Sequence, residues 1–458
     1  MPIALDTRTR ALLADAAERG IRYLETLDDR PVAPAPAAVA ALDALRAPLS
    51  ERGTDPAEVI RLLDATCTPA TMGMAGGRFF GFVIGAALPV SVAAGWLATA
   101  WDQNTGLWNV TPGTATLEEV ALDWMVDLLG LPRGTGGAFV TGATVASFTA
   151  LAAARHAVLA RAGWDIEGQG LYGAPPITVV VGAEVHPAVR KSLGLLGLGR
   201  TRVVTVPVDG QGRMRADALP RLTGPAIVCA QAGNVNTGAF DPLAPIVEHA
   251  RAAGAWVHVD GAFGLWAAVS PAHAALLDGV AGADSWATDA HKWLNVPYDC
   301  GLAFVRDVHA LRAAMAVQAE YLPTETPHRN PLDHTPEMSR RARGVEVWAA
   351  LRALGRSGVR DLVERGCRHA RRFAAGLEAA GFEVLNEVTL NQVLVSFGDA
   401  AVTERAVAAL QAEGTCWCGG TVWQGRTAMR ISVSSWATSD DDVERSLAAM
   451  VRVARAAR

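Results

Sequence analysis

The chain has 458 residues, room for roughly two or three domains, and half of them are hydrophobic with 19% charged, which excludes a disordered protein. Its formal net charge is −5, with both signs spread along the sequence. Neither a nucleic-acid groove nor a polybasic membrane patch is therefore expected, and a small molecule is the default partner.

The first residues, MPIALDTRTRALLADAAERG, carry no apolar run of the kind a secretory leader has, so a cytoplasmic protein is expected. Leu12, Leu13, Ala16, Leu24 and Leu27 recur near helical spacing until Pro31, Pro34 and Pro36 break the pattern. A further helix is expected near 57–66, and residues 1–75 read as a helical arm. The stretch 79–101 is uncharged and long enough for a bilayer. Gly81, Gly85, Pro89, Ser91 and Gly95 interrupt it, and it reads as buried core. Two helices are expected between about 88 and 130, the second opening near Thr116 with Glu118 and Glu119 in its first turn.

From 135 to 310 short β-branched runs alternate with Ala-rich stretches. Strands are expected at 138–141, 177–182, 202–206, 226–230, 255–259 and 301–305, with helices between them that include 144–161, 187–196 and 243–253. This alternation predicts an α/β domain, 76–345, built on a parallel-rich sheet covered on both faces. In such sheets ligands bind beyond the carboxyl ends of the strands. A smaller α/β domain, 346–458, follows: a helical stretch over 345–379, strands near 382–386, 391–397 and 427–433, and a last helix over 439–455. Six cysteines do not make a disulfide framework. Cys416 and Cys418 would face the same side of a strand and read as core, and no metal is expected.

Several strand ends carry chemistry. The run Val257-His258-Val259-Asp260-Gly261-Ala262 ends a β-segment in a carboxylate, which alone could be a helix cap. The run Thr288-Asp289-Ala290-His291-Lys292-Trp293 sets a lysine between a histidine and an apolar pair. Together they supply the two groups pyridoxal 5'-phosphate needs: an amine for its aldehyde and an acid for its ring nitrogen. Residues 136–144 form a strand and a Gly/Ala/Thr turn into a helix, where free N–H groups and the helix dipole favour a phosphate. The turn carries neither a dinucleotide fingerprint nor a Walker lysine. His186, after strand 177–182, is placed to stack on a flat ring. The turn 233–238, with Asn236, is either a plain turn or a contact for a cofactor oxygen. Arg430, on a strand of the small domain, reads as a core-edge arginine or as a clamp for a substrate carboxylate.

These residues resemble the group II pyridoxal-phosphate-dependent amino-acid decarboxylases, of the aspartate aminotransferase fold type I. The likeness runs from about 75 to 355. It is carried by Ala283-Asp284-Ser285 through His291-Lys292-Trp293-Leu294 to Asp299-Cys300, by His258-Val259-Asp260-Gly261-Ala262, by Thr141-Gly142-Ala143-Thr144, by Glu184-Val185-His186 and by Arg340-Arg341 with Val347-Trp348. The resemblance implies a large mixed-sheet domain, a small C-terminal domain and an N-terminal helical arm. It implies that Lys292 holds the cofactor as a Schiff base, that His186 stacks on the ring and helps proton transfer, that Asp260 pairs with the ring nitrogen, and that Ala262 packs on it. Ala143, Thr144 and His291 would hold the phosphate. It also implies a homodimer with shared active sites, Phe82 and Trp108 lining the substrate pocket from different chains, and decarboxylation of an L-amino acid, with an aromatic one favoured by the local aromatic residues. Two departures stand out. Val145 occupies the place of the usual acid, and residues 323–339 hold no tyrosine to protonate the α-carbon after CO2 leaves. His328 and His334 are there instead, and Tyr321 comes too early. Transamination, carbon–carbon cleavage or oxidative deamination therefore remain as other outcomes.

Overall fold

The structure, a computed structural model, describes residues 5–317 and 327–458. The N-terminal arm opens with the helix Thr7–Glu25, whose first turn is capped by Asp6 accepting the Thr9 N–H at 2.7 Å. The helix Pro56–Cys67 starts on a proline at its first position, with Asp55 as its cap. No residue of either helix is buried, and Leu13, Ile21, Leu24, Val59, Leu62 and Leu63 stand exposed. The uncharged stretch 79–101 does contribute core, through Phe79, Phe80 and Val83, and it ends in the helix Pro89–Trp101. The next helix, Pro112–Leu128, starts earlier than Thr116 because Pro112 fits a first helical position. Glu118 consequently lies in the helix body, fully buried between Arg329 (3.0 Å) and Arg340 (2.6 Å).

Seven strands form the large sheet: β1 Gly136–Val140, β2 Thr178–Gly182, β3 Val204–Val206, β4 Ala226–Gln231, β5 Trp256–Asp260, β6 Ser285–Asp289 and β7 Gly301–Val305, in the order β1-β7-β6-β5-β4-β2-β3. The pairs from β6 to β3 are parallel, and β7 runs antiparallel to both its neighbours. Successive residues feed opposite faces, as the strand period demands. Ile227 and Cys229 of β4 pack under the helices Ala143–Arg161 and Pro187–Leu195, whereas Val228 and Ala230 pack under Leu243–Ala252. Strand β6 was not expected. Its sequence Ser-Trp-Ala-Thr-Asp lacks a β-branched apolar run, yet all five residues are buried. Among the described residues one helix, Ala143–Arg161, is long and apolar enough to cross a bilayer, and it packs on the sheet.

The small sheet is wholly antiparallel: β8 Glu383–Val384, β9 Gln392–Ser396, β10 Gly419–Trp423 and β11 Arg426–Ser432, in the order β10-β11-β9-β8. The helices Ala400–Glu413 and Asp440–Ala457 cover it. The first of these, and β10, were not expected: β10 opens on two glycines and gives little strand signal. Cys416 and Cys418 are both fully buried in the core of this unit. The long helix Gly344–Ala379 joins the two cores, passing from the larger at Cys367 to the smaller at Ala370, with a non-helical break at Gly355.

Candidate active site

The carboxyl ends of β4, β5 and β6, the turn after β1 and the segment after β2 converge on one cavity of about 810 Å³. Asp260, the last residue of β5, is 5% exposed and receives the Ala262 N–H at 3.2 Å. Burial raises its pKa above the usual carboxylate range, and the charges of His186 and Lys292 oppose that shift. His186 caps the helix Pro187–Leu195: its Nδ1 accepts the Ala188 N–H at 3.2 Å, which fixes the ring and leaves its proton on Nε2. Burial lowers its pKa, as do Lys292 and Arg430, while Asp260 works the other way, so a neutral imidazole faces the cavity.

Lys292 sits in the short helix Ala290–Trp293, with its Nζ 3.0 Å from Asp289 Oδ2. Its backbone is clamped from two sides. The Asn295 amide, at a left-handed φ of 56°, donates to Trp293 O (2.9 Å) and Ser434 O (3.0 Å). Gly85 approaches the Lys292 carbonyl so closely that a Cβ there would collide with it.

At the far end, the helix Ala143–Arg161 opens without a capping side chain at Gly142. The Ala143 N–H donates to Asp289 Oδ1 at 2.6 Å. Asp289, the last residue of β6, thus bridges the helix N-terminus and the lysine, and its carboxylate is also 3.7 Å from His291 Nε2. His291 accepts the Cys300 N–H on Nδ1 at 3.0 Å and stacks on Tyr298, ring centroids 4.2 Å apart. Burial lowers its pKa.

Of the residues expected here, Ala143, Thr144, His186, Asn236, Asp260, Ala262, His291, Lys292 and Phe82 all line the cavity. Trp108 does not line it within its own chain. It stacks on His328 at 3.6 Å between centroids and donates through Nε1 to Thr116. His334 is buried against Asn330 O, its pKa pushed down to about 3 by burial, and neither His328 nor His334 lines the cavity. Tyr321 lies outside the described residues. Among the contributors that the sequence reading missed are Asp289, although it stood in the lysine motif; Gln231, which ends β4; Tyr298; and the run Thr421, Val422, Trp423 and Gln424 from the small sheet. Arg430 lines the cavity and is no core-edge residue. It faces the space with no hydrogen-bond or ion-pair partner among the described residues, and burial lowers its pKa. A second groove, of about 790 Å³ on the long helix, is lined by arginines that include Arg372, which pairs with Asp440 and Glu444; it contains no lysine.

This donor set fits pyridoxal 5'-phosphate. A buried carboxylate with a single backbone donor suits a protonated ring nitrogen, a neutral imidazole suits the ring face, a helix N-terminus whose cap residue Gly142 has no side chain suits the phosphate, and a lysine lines the same cavity.

The chain was compared with known proteins. The pyridoxal-dependent decarboxylase conserved domain matches residues 66–398. Tryptophan decarboxylase 1 of Oryza sativa subsp. japonica is 28% identical, over 93% of this chain and 90% of that protein. L-2,4-diaminobutyrate decarboxylase of Rhizobium meliloti is 31% identical, over 80% of this chain and 76% of that one. Among solved structures, Oryza sativa TDC with PLP and tryptamine superposes with a TM-score of 0.90 at 24% identity, covering 100% of this chain and 99% of that one, a likeness of fold. With a lysine, a buried acid and a phosphate cradle set around one cavity in the fold type I architecture, the chain belongs to the pyridoxal-dependent decarboxylase family, as a carboxy-lyase that uses pyridoxal 5'-phosphate.

Proposed function

We propose that this enzyme decarboxylates an L-amino acid with a bulky, preferably aromatic, side chain to the amine and CO2, working in the cytoplasm as a homodimer with shared active sites. The observation that carries the reading is the meeting of Lys292, Asp260, His186 and Arg430 around one cavity. Bound pyridoxal phosphate supplies an electron sink for the pair left behind when a bond to the α-carbon breaks.

The residues of the chain do the rest. Lys292 binds the cofactor's aldehyde carbon, and Asp289, 3.0 Å from its Nζ, holds the amine in place. Asp260 keeps a proton on the ring nitrogen, where burial makes the pairing strong. Neutral His186 stacks on the ring and orients it. Ala143, Thr144 and His291 hold the phosphate, and Asn236 and Ala262 pack about the ring. Arg430 meets the substrate carboxylate and aligns the bond that is to break.

Phe82, 58% exposed at the lip of the cavity, supports an apolar substrate face. On the helix Pro89–Trp101, Val90, Trp96, Leu97 and Trp101 stand exposed, and with the bare apolar residues of the N-terminal arm they would make a surface that a second copy covers. Trp108 would reach the partner's pocket from there. The aromatic preference also has support in the similarity to a tryptophan decarboxylase.

The experiment is a screen of the twenty amino acids for CO2 release, with product analysis and an absorbance scan of the bound cofactor. Amine in step with CO2, fastest for aromatic substrates, is the expected result. The absence of a tyrosine at 323–339 favours one second reading, in which dioxygen takes two electrons from the α-carbon to give hydrogen peroxide, and aldehyde and ammonia leave with the CO2 in place of the amine. Aldehyde in place of amine would establish that outcome. Release of no CO2 from any amino acid would end the first.

A further inference from the structure

Glu184 stands next but one to His186, on the rim of the cavity, and none of the steps above uses it. Its carboxylate gathers three donors from two different parts of the molecule. Oε2 accepts from Asn234 Nδ2 and from Trp423 Nε1, both at 3.0 Å, and Oε1 accepts from Gln424 Nε2 at 3.1 Å. Asn234 belongs to the turn after β4 in the large unit. Trp423 and Gln424 belong to the β10–β11 hairpin of the small one.

That hairpin forms one wall of the cavity. Its tip is a two-residue turn, Gln424 at φ 47° and Gly425 at φ 78°, the pairing of left-handed residues that closes a tight hairpin. A left-handed glutamine is uncommon. Here it aims the amide back across the gap, where Nε2 also donates to Asp209 O at 3.1 Å. Thr421 and Trp423, two apart on β10, share the face turned to the large unit. Thr421 donates to Asn236 Oδ1 at 3.2 Å. Strand β10 is the edge of its sheet, paired with β11 alone, and Val422 on its outer face is 69% exposed. The wall is therefore held on one side by its sheet and on the other by four side-chain bonds, two of them to one carboxylate. Only a carboxylate suits that place: it offers acceptor sites on both oxygens, where an amide would turn an N–H2 group against one set of donors.

We infer that Glu184 is a positioning residue. It pins the β10–β11 hairpin across the cavity and so makes Thr421 and Trp423 a fixed, specificity-determining wall for the substrate side chain. The inference rests on the reading of this cavity as the amino-acid site.

The test uses three variants of the cofactor-loaded enzyme: Glu184→Gln, Trp423→Phe, which deletes one N–H and keeps an aromatic ring, and their combination. Glu184→Gln is expected to raise KM for the best substrate about tenfold while kcat changes less than about threefold, and to narrow the preference for large over small substrates by about tenfold. Trp423→Phe moves the same parameters in the same direction. The double variant is no worse than Glu184→Gln alone, because both remove the same tether. Cofactor affinity, followed by absorbance titration, stays unchanged. Multiplying effects, or a loss of cofactor affinity that tracks the loss of kcat/KM, would overturn the inference. A second readout needs no substrate: tryptic cleavage after Arg426, located by mass spectrometry, should accelerate in Glu184→Gln. Cleavage at the wild-type rate refutes the tether, whereas faster cleavage in a protein that decarboxylates nothing would leave the tether standing and count against the amino-acid site.

Discussion

Gly85→Ala should cripple the enzyme without altering the cavity wall. A Cβ on Gly85 would fall about 1 Å inside the 3.0 Å limit that real Cβ contacts respect, measured to the carbonyl oxygen of Lys292, and would also press on Asn295 Cγ at 3.1 Å. The two backbones must then part by about 1 Å, and neither side can yield easily. Asn295 is fully buried with its amide committed to Trp293 O and Ser434 O, and the Trp293 side chain is 1% exposed. Overpacking of this kind costs about 1–3 kcal/mol. Any part of the displacement passed to Lys292 acts on geometry as well, and a 1 Å misplacement costs about 10²-fold in rate. The assay pairs a melting curve with cofactor absorbance and steady-state kinetics. A Tm lowered by a few degrees and kcat/KM lowered about 10²-fold are expected. If Gly85→Ala keeps the wild-type Tm and kcat/KM, the close approach does not position the lysine and the reasoning fails.

Other perturbations give separable outcomes. Asp260→Asn replaces a buried charge by a neutral isostere, which should cost about 3–5 kcal/mol of pairing, or roughly 10²–10⁴-fold in kcat at saturating cofactor; a loss below tenfold would remove the ring nitrogen from its reach. Arg430→Gln should raise KM about 10–100-fold, the worth of a charge-assisted hydrogen bond, and an unchanged KM would show that the guanidinium does not meet the substrate. Stability should fall with acid. Burial drives His258 and His334 down to about 3, so both are neutral in the fold. Their contribution is complete above the unfolded value of about 6.5 and is lost as pH falls below it, at up to about 1.4 kcal/mol per pH unit each. Asp241, raised to about 6 by burial, works in the opposite sense, because its cost is relieved as pH drops through 6. The urea midpoint should therefore fall from pH 7 to pH 5, and fall more steeply in Asp241→Asn; an equal slope in that variant contradicts the assignment.

The site was legible in the sequence wherever its chemistry is packed into a short strand-end pattern. Asp260, His186 and the turn at Ala143 and Thr144 each follow a β-run within a few residues, and Lys292 stood out by its place between His291 and Trp293; all of them line the one cavity. Residues that reach the cavity by tertiary packing were not legible. The wall from Thr421 to Gln424 arrives from another sheet, and nothing near it in the chain points to the large unit. Arg430 left two readings open, core edge or carboxylate clamp, because its strand neighbours Met429 and Ile431 are apolar, and only the fold brings it to the cavity. Strand β6 was hidden by its own polar residues: Ser285 serves Trp256 and His258, and Asp289 serves the site. The reversal of β7 has no local signature either, since strand direction is a property of connections.

Asn295 has a consequence for how the molecule can be divided. Besides its bonds to Trp293 O and Ser434 O, its side-chain oxygen takes the Trp436 N–H at 2.8 Å and its carbonyl takes the Leu88 N–H at 2.7 Å. Two remote segments of chain are thus riveted at the residue that follows the lysine turn. Most of the groups that would grip the cofactor precede residue 306, yet a fragment cut anywhere before Ser434 would lose two of those rivets, and with them the registration of Lys292. The cofactor end of this enzyme is accordingly finished only when residues 434–436 have been made and docked.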